Sequence, residues 1–459
     1  MLNIAASPVL SRLYGPGDFG LLSVYGSLIS IVTVVSSLAY QQAIPAPDSH
    51  EDGANLTALS LTLVAFASLL SALGAALFHE RLERYFAIPG FATYVAAVPV
   101  GVLGASAYEV LSQWAARKKA FGLIAKTSAQ RSVLQTGIQL AGGFAKFGTV
   151  SLVVGQLFGQ WGGTLQVARR SWQADAPTFR RIDWGTMWDA ARRFRRFPAF
   201  TLPGAVLNAI DSNAAPLLFA HFFGATVTGY FALGNRLVSI PFMLVGSSAQ
   251  RVFYPAAAAA RHNGSLATET NETFHRLLRI VLPIVFVMTA CAPELFVVLM
   301  GAKWREAGVY MQWLSLRACF TMLVFPLTPL IFVLNRQAVG TLFSGVQLVV
   351  RVGSVYVGAR YGDARLAVAL LGVGTGLLWL GYLIYLMSIS GNRIPLAIAQ
   401  LIRESVIAGL ITSPILAAKL VHASDLLVTL TAGLASLIGV IVVARRFLSA
   451  ASPTLDRSA

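Results

Sequence analysis

Residues 56–78 read LTALSLTLVAFASLLSALGAALF, 23 positions without a charged side chain. A helix rises about 1.5 Å per residue, so roughly 20 apolar residues cross a hydrocarbon core of about 30 Å. The composition, 56% hydrophobic and only 12% charged, excludes a soluble protein. The sequence therefore predicts an all-α polytopic membrane protein with thirteen full spans. They lie at 19–44, 56–78, 91–113, 131–148, 151–168, 198–220, 229–250, 277–300, 309–334, 339–358, 366–388, 404–421 and 425–444.

The 35 basic residues are distributed unevenly over the connections between these spans. One set of alternate connections holds 23 of them, including Arg131, Arg445, Arg446 and Arg457, and the other set holds nine. Basic loops resist translocation, so the richer set is expected on the cytoplasmic side. The net charge of +16 then reflects topology and not nucleic-acid binding. We expect a multi-pass protein of the bacterial inner membrane with both termini in the cytoplasm.

The first predicted span is incomplete. Only residues 1–10 precede Arg12, about 15 Å of helix at the usual rise. Either the chain begins partway through a helix, or this segment lies in the membrane interface. Counting it gives about 14 transmembrane helices, the first one truncated, arranged as two six-helix lobes and two extra helices.

A basic segment divides the chain. Within it, residues 183–197 mix tryptophan and phenylalanine with four arginines, which is typical of a short helix in the headgroup region. Such a helix is either a docking site for an anionic lipid carrier or a plain interfacial linker, and we favour the linker. The predicted parts are a first lobe at 1–168, the linker at 169–197, a second lobe at 198–390, two added helices at 391–447 and a cytoplasmic tail at 448–459.

The two lobes show faint self-similarity at an offset of 209 residues. Gly20 falls on Gly229 and Gln41 on Gln250, with three further matches between them. Six spans separate the matched helices, so both repeats have the same orientation. This pattern predicts a duplicated transporter whose pseudo-axis runs along the membrane normal.

Signatures of catalysis are mostly absent. The chain has no G-x-x-x-x-G-K-[ST] phosphate loop, and its six histidines are scattered. The two cysteines, Cys291 and Cys319, lie in separate spans. We therefore expect no catalytic residues, no metal site and no cofactor.

Two ionisable residues near the middle of adjacent spans are candidates for a site. Asp211 and Arg236 lie at similar depths below the loop predicted at 221–228. An ionisable group at membrane depth is unfavourable and usually faces a cavity or a partner. In the functional interpretation, Arg236 binds phosphate oxygens, and Asp211 either holds Arg236 in reserve or carries a coupling ion. In the structural interpretation, the two residues form an ion pair.

Two more arginines, Arg317 and Arg351, lie inside predicted spans. The planar guanidinium suits a bidentate phosphate contact. The alternative is pairing with backbone carbonyls or with Glu109 or Glu294. We favour a cavity that accepts an anion. Glu109 itself is a candidate for a gate or coupling residue, or it closes a helix interface.

Three motifs resemble one known family. RLYGPGDFG at 12–20 looks like the loop after the first helix of Wzx-type polysaccharide flippases, although the family has a Ser-Pro-Glu-like centre at Gly15-Pro-Gly17. GYFALGNR at 229–236, with VFYP at 252–255, is similar to the family's eighth helix. GAKW at 301–304 matches the loop after the ninth. The resemblance covers residues 4 to about 390.

This resemblance implies a two-lobe transporter of the multidrug/oligosaccharidyl-lipid/polysaccharide exporter superfamily. Such a protein moves an undecaprenyl-pyrophosphate-linked oligosaccharide across the inner membrane for O-antigen, exopolysaccharide or lipopolysaccharide synthesis. It implies a substrate cavity with Arg236, Arg317, Arg351 and Asp211, and Arg12 and Asp18 near a gate. The implied partners are membrane lipids, a glycan polymerase and a chain-length regulator. The rival interpretations are a cation-coupled drug exporter and a non-transporting scaffold of a polysaccharide synthase.

Overall fold

The computed structural model describes residues 2–436 and 439, with the side chains of residues 4 and 241–245 outside that description. Every regular element in the described residues is a helix, so the all-α prediction is confirmed. The predicted tail at 448–459, its neighbours Arg445 and Arg446, and the end of the span at 425–444 lie outside the described residues. The chain divides into two compact units, Met1–Gly229 and from Tyr230 onward. The lobes and linker predicted from the sequence stay a prediction.

The first unit contains ten helices and the start of an eleventh. A 3-10 turn at Tyr40–Ala43 and a π-turn at Phe197–Thr201 separate some of them. The helices are α1 (Leu2–Ala5), α2 (Ser7–Leu13), α3 (Pro16–Ser36), α4 (His50–Phe86), α5 (Phe91–Val95), α6 (Val98–Arg117), α7 (Phe121–Phe144), α8 (Thr149–Trp161), α9 (Thr164–Phe179), α10 (Trp184–Arg193) and α11 (Leu202–His262).

The described part of the second unit contains the rest of α11 and six further labelled helices. These are α12 (Leu266–Met300), α13 (Arg305–Val324), α14 (Leu330–Val333), α15 (Gln337–Arg360), α16 (Ala364–Ile389) and α17 (Ile394–Leu420). A shorter apolar helix, Asp425–Ser436, follows α17. The hydrophobic core of the second unit contains buried side chains of α11, α12, α13 and α16, among them Phe274, Leu278 and Leu386.

Nine helical segments in the described residues are long and apolar enough to cross a membrane. The predicted spans at 131–148 and 151–168 are not among them. The first falls on α7, whose polar side chains lower its hydropathy, and the second is divided between the 13-residue α8 and the start of α9. The predicted span 19–44 is also shorter as a helix, because α3 ends at Ser36.

The loop predicted at 221–228 is much shorter in the structure. The element labelled α11 consists of two helices that meet at Gly224, where φ is 80° and ψ is −179°. Glycine accepts this left-handed geometry because it has no Cβ. One residue therefore makes the bend that we had assigned to a loop of eight.

The start of α3 is fixed by its own side chains. Pro16 occupies the first turn, where its missing N–H leaves no helical hydrogen bond unmade. The Asp18 carboxylate reaches back and accepts the backbone N–H of Gly15 at 2.8 Å, and its other oxygen accepts the Thr149 hydroxyl of α8. Asp18 thus caps α3 and also ties it to α8.

Two glycines allow α3 to contact α11 backbone to backbone. A Cβ on Gly20 would overlap the carbonyl of Ala225, and a Cβ on Gly229 would overlap the carbonyl of Pro16. An offset of 209 residues carries Pro16 onto Ala225 and Gly20 onto Gly229, so the two contacts are reciprocal. The duplication inferred from the sequence stays a prediction.

We expect Gly20→Ala to destabilise the protein, because the new methyl group forces the α3 and α11 backbones apart. Gly74→Ala on α4 is the matched control, since a Cβ there has no neighbour within 4 Å. The control should be neutral or stabilising by up to about 1 kcal/mol. Thermal unfolding of the purified proteins measures both. Equal melting temperatures for Gly20→Ala and the wild type would contradict the close contact.

We expect Asp18→Ala to lower the free energy of unfolding by about 0.5–2 kcal/mol, the usual effect of losing a helix cap. Asp189→Ala, an exposed carboxylate on α10, is the control. The same thermal measurement applies. Unchanged stability with lost transport would instead favour the gate role that the family resemblance implies for Asp18.

Candidate functional site

The second unit holds three arginines inside long apolar helices. Arg351, on α15, is only 8% exposed, and Arg236 on α11 and Arg317 on α13 are half-buried. Arg317 donates to the side-chain oxygen of Asn235 at 2.5 Å, and Asn235 is the neighbour of Arg236 in the chain. This hydrogen bond links Arg317 to the segment of α11 that bears Arg236.

A glycine on α11 positions these two helices. The Cβ that Gly234 lacks would lie 2.8 Å from the carbonyl of Ala307 on α13. Without it, the helices approach until their backbones are in contact, one residue before Asn235. Small residues at the interface therefore place Asn235 within reach of Arg317.

Helix α16 approaches the helices that bear Arg317 and Arg351 through two glycines of its own. A Cβ on Gly376 would lie 3.4 Å from the backbone nitrogen of Arg317, and one on Gly374 would lie 3.1 Å from Val350. Thus α16 packs closely on α13 beside Arg317 and on α15 beside Arg351. Three arginine-bearing helices are joined in this way through close glycine contacts.

An apolar cavity of about 520 Å³ lies along the same part of α13. Its lining includes Phe286 and Ala290 from α12, Leu316 and Cys319 from α13, and Leu416 from α17. Leu316 precedes Arg317 in the chain. The second unit therefore combines buried positive charge with an adjoining apolar volume.

Glu294 was an alternative partner for the arginines, but it forms a salt bridge with a different residue. It pairs with Lys419 of α17 at 2.8 Å. Glu109, in the first unit, is half-buried on α6 and hydrogen-bonds the side chain of Gln41. The amide oxygen of Gln41 in turn accepts the hydroxyl of Ser37. Glu109 is thus part of a polar chain between α6 and the turn after α3.

The remaining site candidates lie in the first unit. Asp211 is 6% exposed on the first part of α11, and Arg12 is an exposed residue of α2. Asp18 forms the cap described above. Asp211 lies in the first unit and Arg236 in the second, so their pairing stays a prediction, as do the gate roles of Arg12, Asp18 and Glu109.

Residues 184–193 form the short basic helix that the sequence predicts, here α10. The backbone N–H of Thr186 donates to Asp183 at 2.7 Å and lowers the pKa of that carboxyl. Arg193 pairs with Asp52 of α4 at 2.6 Å. Trp184 and Trp188, one turn apart, are largely exposed. An amphipathic surface of this kind suits a membrane interface, and its location there stays a prediction.

Arg131 was counted with a cytoplasmic connection, and its placement outside a helix is wrong, whereas its side of the membrane stays a prediction. It lies in the interior of α7, and its guanidinium is 4.0 Å from the ring centroid of Tyr108. Its Nε donates to the carbonyl of Gly159 at 2.9 Å. The apolar run at 131–148 begins at Arg131, so the residue was counted with the preceding loop. The spacing of Ser128, Arg131, Ser132 and Gln135 is a polar helical stripe that would have revealed it.

A sequence model of the family described as "Polysaccharide biosynthesis protein" matches residues 9–309. The chain is 24% identical over 253 residues to the teichuronic acid biosynthesis protein TuaB of Bacillus subtilis (strain 168), covering 54% of this chain and 49% of TuaB. It is 22% identical over 392 residues to the succinoglycan biosynthesis transport protein ExoT of Rhizobium meliloti (strain 1021), covering 83% and 76%. The chain thus spans about half the length of the first of these relatives.

Solved structures share the fold at low identity. The lipid II flippase MurJ in an inward closed conformation has a TM-score of 0.72 at 11% identity, covering 98% of this chain and 100% of MurJ. An inward-facing multidrug resistance transporter of the MATE family and MOP superfamily has a TM-score of 0.61 at 15% identity, covering 89% and 94%. The resemblance stated from the motifs is confirmed. The family match spans more than half of the chain, which therefore belongs to the polysaccharide biosynthesis protein family and shares the fold of these solved structures.

Proposed function

We propose that this protein moves an undecaprenyl-pyrophosphate-linked oligosaccharide from the cytoplasmic to the periplasmic leaflet of the bacterial inner membrane. The glycan would serve O-antigen, exopolysaccharide or lipopolysaccharide assembly. The observation that carries the proposal is the set of three arginines inside long apolar helices, Arg351 buried on α15 and Arg236 and Arg317 half-buried on α11 and α13. The relatives named for polysaccharide biosynthesis and transport support the same class of cargo.

The arginines match the charged part of such a cargo. A guanidinium inside a membrane span costs at least a few kcal/mol, so it is retained where it faces water, a partner or an anion. Pyrophosphate oxygens accept the paired N–H donors of the guanidinium fork. Arg236, Arg317 and Arg351 are the proposed head-group ligands. Asp211 is proposed to hold Arg236 in reserve or to carry a coupling ion.

The apolar cavity beside α13 matches the lipid part. A prenyl chain gains about 25 cal/mol for each Å² of apolar surface that it buries away from water. The cavity is lined mainly by aliphatic and aromatic side chains, and it adjoins the segment that carries Arg317. A carrier with a charged head and a hydrocarbon tail would use both features together.

The sequence provides no phosphate loop for ATP hydrolysis. Transport is therefore proposed to use an ion gradient or the membrane potential, with Arg12, Asp18 and Glu109 as gate or coupling residues. The proposed location is the inner membrane with cytoplasmic termini. Membrane lipids, a polymerase and a chain-length regulator are the proposed partners.

Arginine replacement tests the head-group sites. In a host strain lacking its own glycan flippase, we expect Arg317→Ala and Arg351→Ala to reduce glycan display by on the order of 10- to 100-fold, the effect of losing a charge-assisted hydrogen bond. The corresponding lysine variants should be intermediate, because they keep the charge and lose the fork. Membrane abundance must be matched for every variant.

The control is Arg276→Ala, which removes one partner of an exposed ion pair with Glu272 on α12. Such a pair contributes little, so display should stay near the wild-type level. Normal display with Arg236, Arg317 and Arg351 all replaced would reject the proposal and favour the scaffold. Drug efflux by this protein in a strain whose glycan display does not depend on it would favour the drug exporter.

Filling the apolar cavity tests the lipid site. We expect Ala290→Phe to weaken binding of long polyprenyl phosphates by roughly tenfold, the effect of a misfit of about 1–2 kcal/mol. Leu410→Phe, at a position 68% exposed on α17, is the control and should bind normally. Binding is measured with purified protein and polyprenyl phosphates of graded length. Equal affinity in both variants would place the prenyl chain elsewhere.

A further inference from the structure

A second, polar cavity of about 280 Å³ lies within the first unit, between α7 and α8. Its volume corresponds to roughly nine water molecules at about 30 Å³ each. From α7 it is lined by Ser128, Arg131, Ser132 and Gln135, and from α8 chiefly by Gln156 and Gln160. Its lining includes none of the arginines of the proposed head-group site, which all lie in the second unit.

Helical periodicity explains why these side chains converge. The four α7 residues follow the spacing i, i+3, i+4 and i+7, which places them on one face. Gln156 and Gln160 are one turn apart on α8. Between them, Gly159 lets α7 come close, since a Cβ there would lie 2.7 Å from the Cβ of Gln135.

Arg131 is held in place by the protein itself. Its guanidinium stacks on Tyr108, and its Nε–H is committed to the carbonyl of Gly159. A guanidinium has five N–H donors, so others remain for a ligand in the cavity. The stacking and the hydrogen bond pre-orient this group before any ligand enters.

Gln160 is the most buried of the three glutamines that line the cavity, with 9% of its surface exposed. Its Oε1 lies beside Gly101 of α6, 2.8 Å from where a Cβ of that residue would stand. The rest of the Gln160 side chain is therefore the part that contributes to the cavity lining.

The composition of the lining selects the kind of ligand. Three glutamine amides and two serine hydroxyls offer donors and acceptors in nearly equal number, together with one cation. A sugar ring presents the same mixture, because each of its hydroxyl groups both donates and accepts. A phosphate group offers mainly acceptors, so it would leave the amide oxygens of the lining with few donors.

We propose that this cavity binds one pyranose ring of the transported glycan, an inference that rests on the proposed function. Arg131 and the three glutamines hydrogen-bond the ring hydroxyls, and Ser128 and Ser132 complete the set. The site would recognise the sugar part of the cargo. It therefore gives the protein a means of selecting its glycan.

The test uses the full-length protein in lipid nanodiscs. A panel of methyl hexopyranosides, with and without an N-acetyl group, is screened by saturation-transfer NMR, and inorganic phosphate is titrated in parallel. We expect at least one glycoside to bind with millimolar affinity. Gln160→Met should weaken this binding by about 3- to 10-fold, the effect of one or two neutral hydrogen bonds.

Ser132→Ala is a second variant, because it removes a hydroxyl with little effect on packing, and it should also weaken binding. Gln400→Met is the matched control. Gln400 is half-buried on α17, and it lines neither described cavity. The control should bind the glycoside like the wild type.

The outcomes separate this inference from the proposed function. Binding of no glycoside, binding of phosphate alone, or equal binding by the wild type and both cavity variants would overturn the sugar site. None of these results concerns the arginines, whose replacement is scored by glycan display in cells. Loss of display with the arginine variants together with no sugar binding would leave the proposed function standing and remove only this inference.

Discussion

The hydrocarbon core supplies no hydrogen-bond partner for a peptide group, and the rest of this structure depends on that constraint. Each spanning segment satisfies its own N–H and C=O groups as a helix, since an unpaired group in lipid costs several kcal/mol. Lipid tails are as apolar as leucine, so burial of apolar surface does not by itself draw one helix to another. Close packing at small residues has to hold them together, and glycines occupy the decisive contacts.

Those glycines also determine where the polar side chains lie. Gly234 brings α11 onto α13 and places Asn235 against Arg317, while Gly374 and Gly376 hold α16 against both other arginine-bearing helices. In the first unit, Gly159 lets α7 and α8 approach each other closely beside the polar cavity. Gly20 and Gly229 allow the backbones of α3 and α11 to come into contact. Packing and function are therefore coupled, because removing a glycine moves a charged or polar group with it.

Much of this was predictable, and the failures have physical causes. The apolar runs predicted most helices, and the three arginines of the second unit were visible as charges inside them. The loop at 221–228 was predicted too long, because hydropathy falls at a membrane surface whether the chain turns through a loop or through a sharp break at Gly224. Arg131 was misplaced because an average over a window hides a polar stripe on one face of a helix. The position of the Gln160 side chain beside Gly101 of α6 had no sequence signal, since it depends on atoms from other helices.

The sequence by itself determined that the chain is an all-α membrane protein, which residues carry charge at membrane depth, and which family it resembles. These properties follow from local composition, helical periodicity and short motifs. Only the tertiary structure decided that Asp18 is bound to Thr149 of α8, that Arg317 is bound to Asn235, and that Arg131 shares a cavity with three glutamines. Each of these depends on contacts between helices distant in sequence, and the packing of small residues that creates those contacts leaves no periodic pattern to read.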